Sequence, residues 1–155
     1  MERWADLNVD VPALARLFFD SVRSGPSPYT DAQRAAWMPK VPPADRFADR
    51  LHSQFVAVAE HERAPYGFMS MDQAGYIDLA YILPTHRGTG TFRRLYLMLE
   101  ERGTEQGLRR FWTHASLTAQ PAFRSVGFSI IQHENVERAG QNLQRAEMEK
   151  LINDA

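Results

Sequence analysis

After Asp10 and Pro12 mark a helix start, apolar residues recur at three-to-four spacing through Leu14, Leu17, Phe18 and Val22, predicting an amphipathic helix. A short strand, Glu2 to Trp4, precedes it. "SGPSPYT", Ser24 to Thr30, breaks the pattern, and Thr30 with Gln33 forms a capping box that opens the short helix "DAQRAAW". "MPKVPP" forces extended chain, and "ADRFADRLH" reads as one more helical piece running to His52. The period then changes to that of strands: "QFVAVAE" (Gln54 to Glu60), "YGFMSMD" (Tyr66 to Asp72) and "GYIDLAYIL" (Gly75 to Leu83) suit a three-stranded meander. Phe92, Leu95, Met98 and Leu99 stripe the longest helix, which ends near Gly107 with Glu100, Glu101 and Arg102 on its wet side. "RRFWTHA" returns to strand, and "LTAQPAFRSV" is a short helix stopped by Gly127. "FSIIQHENVE" and "QNLQRAEMEK" pair as a hairpin around Ala139-Gly140, although the composition of the last segment also suits a helix.

Composition sets the outer bounds. The 155 residues, 44% hydrophobic and 24% charged, fit one compact domain over 1–155 with a core of its own. A formal charge of −1, with no Lys/Arg block, argues against nucleic acid and anionic lipid as partners. No apolar run approaches the roughly 20 residues needed to cross a bilayer, and "MERWADLNVD" is too polar for a secretion signal, so the expected location is cytoplasmic. The chain has no cysteine, which excludes thiolate zinc sites and a cysteine nucleophile. His52, His61 and His133 form no metal-ligating spacing, and no metal is expected.

"LPTHRGTGTF", residues 83 to 92, joins a strand to the longest helix through two glycines. Glycine lets backbone amides approach an anion, and a helix N-terminus favours negative charge, so the loop suits a phosphate group. An ordinary tight turn has the same residues. The dinucleotide fingerprint fails for want of a third glycine after Gly88 and Gly90, and the P-loop fails for want of a lysine.

From Gly75 to Phe128 the chain resembles the core of the GNAT superfamily, the acetyl-CoA-dependent N-acetyltransferases. Arg87, Gly88, Thr89, Gly90 and Thr91 correspond to its pyrophosphate motif Q/R-x-x-G-x-G/A, with Phe92 in place of the last Gly or Ala. "ASLTAQPAFRSVGF" is similar to its A-S-x-N-A-x-x-F-Y segment, with Thr118 replacing Asn and Phe123 where many members carry tyrosine. The resemblance implies an α+β fold: a mixed, mostly antiparallel sheet splayed between strands 4 and 5 and flanked by helices. Pantetheine would lie in the splay along the backbone of Tyr81, Ile82 and Leu83. Pyrophosphate would sit on the amides of Gly88 to Phe92 with Arg87 and Arg93 as cations, and Ser116, Thr118 and Phe123 would stand beside the cofactor.

The implied reaction is acetyl transfer from acetyl-CoA to a primary amine of a small molecule or peptide by direct attack. An alkylammonium has a pKa of about 10.4, so a base is needed at neutral pH. Asp78 leads the candidates, placed by alternation with Tyr76 and Ala80 and opposite Ile77 and Leu79. A carboxylate tied to a neighbouring loop is the other reading. His114, at the end of "RRFWTHA", is the second candidate base. Phe123 cannot protonate the departing thiolate, which leaves Tyr81, Tyr29, Ser116 or water, and the Ile82 amide would hold the oxyanion where the strand bulges. Tyr29 and Trp37 are acceptor-side candidates. Monomer and homodimer are both open. Two competing functions are a catalytically weak acyl-CoA-binding sensor or interaction module, suggested by Phe92, Thr118 and Phe123, and a phosphate-binding structural domain.

Overall fold

The computed structural model describes residues 1–153. In chain order the elements are β1 (Glu2–Trp4), α1 (Val11–Arg23), α2 (Asp31–Trp37), α3 (Ala44–Leu51), β2 (Phe55–His61), β3 (Ala64–Met71), β4 (Tyr76–Ile82), α4 (Thr91–Glu105), β5 (Arg110–Ser116), α5 (Gln120–Ser125), β6 (Ser129–Arg138) and β7 (Gln141–Leu151). A 3₁₀ turn at Pro84–His86, not predicted from the pattern, leads from β4 toward α4. The ambiguous last segment is strand: from Arg145 to Glu149, β7 pairs with β5 on one edge and β6 on the other, which a helix would forgo.

The strands form one seven-stranded sheet in the order β1-β2-β3-β4-β5-β7-β6, antiparallel at every junction except the parallel β4–β5. Helices cover both faces. On one, Leu95, Tyr96 and Leu99 of α4 and Phe123 of α5 pack on Ala57, Met69, Ile77, Phe111 and Met148. On the other, Leu14, Leu17, Phe18 and Val22 of α1 and Phe47 of α3 pack on Val56, Val58, Phe68 and Leu79. Each such side chain, taken out of water, contributes about 1.5–3 kcal/mol to holding its helix down. The α1 spacing therefore works as the pattern predicted, with Pro12 in the first turn where a missing N–H costs nothing.

The α2 capping box forms in full. The Gln33 amide donates to Thr30 Oγ1 at 3.1 Å, and the Thr30 amide donates to Gln33 Oε1 at 2.8 Å. This segment is then pinned across the sheet: Gln33 Nε2 donates to the Asn142 carbonyl, and the Tyr29 hydroxyl donates to the Gln144 carbonyl while accepting from the Leu117 amide. The α1–α2 connection thus roofs the end of β5 and the β6–β7 hairpin.

The β4–β5 junction governs the site. Only Tyr76 opposite Trp112 and Ile77 opposite Thr113 are in register, and the Thr113 hydroxyl donates to the Ile77 carbonyl at 2.8 Å. Beyond that point the strands part, as the splay between strands 4 and 5 requires.

One close approach on the opposite face is testable. A Cβ on Gly103 of α4 would lie 2.5 Å from Cε1 and 2.8 Å from Cζ of the buried Phe111 ring. Gly103→Ala should therefore destabilise the protein by about 1–3 kcal/mol through overpacking, even though alanine favours a helix over glycine by about 1 kcal/mol. A lower urea midpoint at unchanged m would show it; equal or greater stability would mean that Phe111 moves aside freely.

Candidate active site

The parted strands leave backbone groups without a strand partner. The Leu83 amide donates to the Tyr66 carbonyl and the Leu83 carbonyl accepts from the His86 amide, so both are occupied. Because antiparallel neighbours alternate in which edge they bond, Tyr81 also turns its backbone to β3. Ile82 and Ala80 turn theirs into the gap. Of the three residues expected to pair with pantetheine, Ile82 alone presents its backbone to the gap.

The strand bulge lies elsewhere than expected. Ser70 is opposite Leu79 and Met71 opposite Ile77, which leaves Asp78 as the extra residue. Side-chain alternation resets there. Ile77 and Ala80 belong to the α4 side, whereas Tyr76, Asp78, Leu79 and Tyr81 line a cavity on the α1 side. The grouping of Asp78 with Ala80 and against Leu79 is thereby corrected.

Two cavities meet at the splay. The larger, about 490 Å³, runs between the 83–92 loop, α5 and the chain following α1. Gly88 and Gly90 adopt φ of +76° and +84°, a region in which L side chains are strained. Gly90 is the N-cap of α4 and supplies no side-chain cap. No acceptor among the described residues takes the amide protons of Gly88 to Arg93. Arg34, Arg87 and Arg93 line the same cleft, and no carboxylate does. Burial first, then the Arg34 charge, lowers the Arg87 pKa from its ordinary value, as expected of a cation with no anionic neighbour. Arg87 is held in place by the carbonyls of Ile82 and Ser21, each at 3.2 Å. The hydroxyls of Thr89 and Thr91 bond each other at 2.9 Å, so neither threonine side chain lines the cleft.

Ser116 and Thr118 line this cleft, but Phe123 does not. Its ring is 1% exposed, edge-on to Phe92 at 4.9 Å and to Phe128 at 5.1 Å. The physical reason is the period of α5, which presents Pro121, Ala122 and Ser125 to the cleft and turns Phe123 to the core. The placement of Phe123 beside a cofactor is corrected accordingly. Phe92 packs its ring against Phe123 and leaves its backbone amide free.

The smaller cavity, about 350 Å³, is lined by Tyr29, Trp37, Arg50, Tyr76, Asp78, Tyr81, His114 and Arg145, with Leu143 and Val136 from the hairpin. Trp37, Tyr81 and Ser116 line both cavities. Asp78 is not a free base. Arg50 holds its two oxygens at 2.8 and 2.9 Å, and Gln54 adds a third bond at 2.9 Å. Burial pushes the Asp78 pKa up, but these bonds outweigh it and hold the carboxyl below its ordinary range. Tyr29 is likewise committed, by both of the hydroxyl bonds described above. Ser116 Oγ accepts from the Ala119 amide at 3.2 Å.

His114 stands differently. Its Nδ1 is 2.9 Å from the Tyr76 hydroxyl and its Nε2 is 3.6 Å from Glu134 Oε1. Tyr76, Arg50, Glu134 and Arg145 were not singled out from the sequence. The period-two pattern of the hairpin, which places Glu134, Val136 and Arg138 on one face, was the available signal. Tyr81 packs its ring on Phe18 at 4.5 Å, and no group among the described residues hydrogen-bonds its hydroxyl. Burial pushes its pKa far above the ordinary 10.0, so it keeps its proton.

The acetyltransferase (GNAT) domain profile matches residues 26–151. No curated protein matches the chain in sequence. Among solved structures, the chain is similar to a GCN5-related N-acetyltransferase (described also as aminotransferase, class II) from Rhodopseudomonas palustris, at 25% identity and TM-score 0.88, covering 98% of this chain and 95% of that one. It is also similar to a ribosomal-protein-alanine N-acetyltransferase from Brucella melitensis, at 22% identity and TM-score 0.76, covering 98% and 99%. A third is a phosphinothricin acetyltransferase from Sinorhizobium meliloti in complex with AcCoA, at 20% identity and TM-score 0.75, covering 99% and 88%. The last two likenesses establish shared fold only.

Two outcomes follow from this geometry. Phe123→Tyr should destabilise the protein by about 1–3 kcal/mol by burying an unpaired hydroxyl, without raising turnover; unchanged stability in urea would mean that the ring has polar space after all. Asp78 has a folded pKa below its ordinary 3.8, so its contribution to stability is fully present above that value and is lost as pH falls through the lower, folded one. The stability gap between wild type and Asp78→Asn, measured by denaturation between neutral pH and strong acid, should be constant until about pH 5 and then shrink; a gap that widens in acid would contradict the pairing.

Proposed function

The chain belongs to the GNAT acetyltransferase family, and from that premise we propose that it moves an acetyl group from acetyl-CoA to a primary amine by direct attack. One observation carries the reading. Six successive amides at a helix N-terminus, Gly88 to Arg93, have no partner among the described residues, and Gly88, Gly90, Phe92 and Arg93 line a cleft that holds three arginines and no carboxylate. That arrangement suits a pyrophosphate, and the acetyl-CoA in the phosphinothricin acetyltransferase structure supports the choice of ligand.

Acetyl-CoA supplies an activated thioester; the chain's own residues supply position and protons. Ile82 N–H, turned into the gap, is the donor for the oxyanion that develops at the attacked carbonyl. His114 is the base. It takes the ammonium proton through the Tyr76 hydroxyl, which passes its own proton to Nδ1, while Glu134 faces the resulting imidazolium at Nε2. The neutral nitrogen forms the C–N bond as the C–S bond breaks. Tyr81 gives its proton to the departing sulfur and recovers one through solvent from the nitrogen's second proton. This assigns to Tyr81 the donor role that Phe123, buried in the core, cannot have.

The sensor alternative loses much of its motive. Phe123 lies outside the cleft, and Phe92, which lines it, turns its ring to Phe123 and offers its backbone amide. Thr118 is the other departure that lines the cofactor side.

Acetyl-CoA at a hundredfold excess over its dissociation constant should stabilise the protein by about 2.7 kcal/mol, read as a raised Tm; no shift at millimolar concentration would remove the cofactor. Tyr81→Phe should lower kcat by about 10²-fold with little change in that shift, and His114→Gln should lower kcat/KM by about 10²-fold at neutral pH with recovery toward the amine's own pKa. Thiol release followed against pH checks both. A full rate in Tyr81→Phe would pass the donor role to water.

A further inference from the structure

The smaller cavity carries its charges unevenly. Arg50 is spent on Asp78, as described. Arg145 is more loosely held: it forms an ion pair with Glu134, Nε to Oε1 at 3.4 Å, but its buried Nε has no hydrogen-bond partner among the described residues. Its two terminal nitrogens make no hydrogen bond among the described residues. Glu134 Oε1 is itself shared, since the same atom faces His114 Nε2. The Arg145 charge bears on the phenols of Tyr29 and of Tyr76, the hydroxyl bonded to His114. Arg138, on the same face of the hairpin nearer its tip, makes no ion pair among the described residues. Next along β7, Glu149 is taken by Arg110 at 2.7 Å, and Glu147 lies 4.0 Å from the same guanidinium. Three guanidinium groups thus line the cavity against Asp78 in its wall and Glu134 beside it.

An acceptor that brought only an ammonium group would meet this wall as a like charge. We propose, resting on the transfer reading above, that the acceptor is a free α-amino acid: its carboxylate is read by the terminal nitrogens of Arg145, which make no hydrogen bond among the described residues, with Arg138 adding charge at the mouth, and its amine lies toward Tyr76 and His114. A guanidinium fork matches a carboxylate with two parallel bonds, which fixes the amine's direction as well as its affinity. The apolar part of the wall, from Trp37, Met38, Pro42, Val136 and Leu143, suits an apolar side chain. At about 350 Å³ the cavity sits at the small end of small-molecule sites.

The test uses the whole chain with acetyl-CoA and matched probes: L-leucine, L-methionine and L-phenylalanine, each beside its carboxamide and its decarboxylated amine. The carboxamides are the stringent control, because their weaker bases, with a pKa of about 7.7–8, are more often neutral and chemistry alone would favour them. The free acids should lead in kcat/KM by about 10²-fold, because the analogues leave the terminal nitrogens of Arg145 without a carboxylate to bond. Arg145→Gln should lower kcat/KM for the acids by about tenfold or more and erase most of their lead over the amides, while leaving the acetyl-CoA thermal shift nearly unchanged. Equal turnover of acids, amides and amines would overturn the proposal and leave acetyl transfer standing. If no probe releases thiol, calorimetry on CoA-loaded protein decides: N-acetyl amino acids should bind more tightly than their amides, and charge-independent or absent binding overturns it. No stabilisation by acetyl-CoA would remove the transfer reading itself, and this inference with it.

Discussion

The parting of β4 and β5 after Ile77 and Thr113 is the constraint on which the rest of the site depends. A parallel pair that continued would bond the inward edges of Ala80 and Ile82 and close the sheet. Here the Thr113 hydroxyl takes the Ile77 carbonyl, the register ends, and one strand edge is left for a ligand. The sheet tolerates the break because each strand keeps its other neighbour: β4 stays paired with β3, and β5 with β7 along its whole length.

The bulge at Asp78 is the second half of the same construction. By inserting one residue just where the strands separate, it turns Leu79 and Tyr81 onto the face of Tyr76, so that side chains from both sides of the bulge share a cavity. It also commits Asp78 to Arg50 and Gln54, which ties α3 and the chain after it to β4. A residue type that suits catalysis is thereby used as a brace, and His114 is left with the nearer proton partners.

The two cavities divide the electrostatics. The cofactor side concentrates uncompensated positive charge and free amides, which together suit a polyanion and little else. The other side sets the Arg50–Asp78 pair, the looser Arg145–Glu134 pair and Arg138 against an aromatic and aliphatic wall. The roof from Tyr29 to Trp37 serves both, because the Tyr29 hydroxyl and Gln33 anchor it to the hairpin while Trp37 faces each cavity.

The helices and strands were legible in the sequence because each rests on a local period or cap: the α1 stripe, the Thr30–Gln33 box, the alternation of the meander. The 83–92 loop was legible for the same reason, since two glycines between strand and helix are a local signal. What failed had a non-local cause. Alternation through Asp78 broke at a bulge that exists only against β3, and the motif position of Phe123 gave no hint that the face of α5 carrying it would turn to Phe92 and Phe128. Tyr76, Glu134 and Arg145 come from three strands, and nothing along the chain shows that β7 lies between β5 and β6. The sequence by itself therefore determined the elements, the family resemblance and the two-glycine loop, because these are set within about one turn or one strand of chain. Tertiary structure alone decided which side chains meet the gap, because strand pairing and the bulge set which face each one takes.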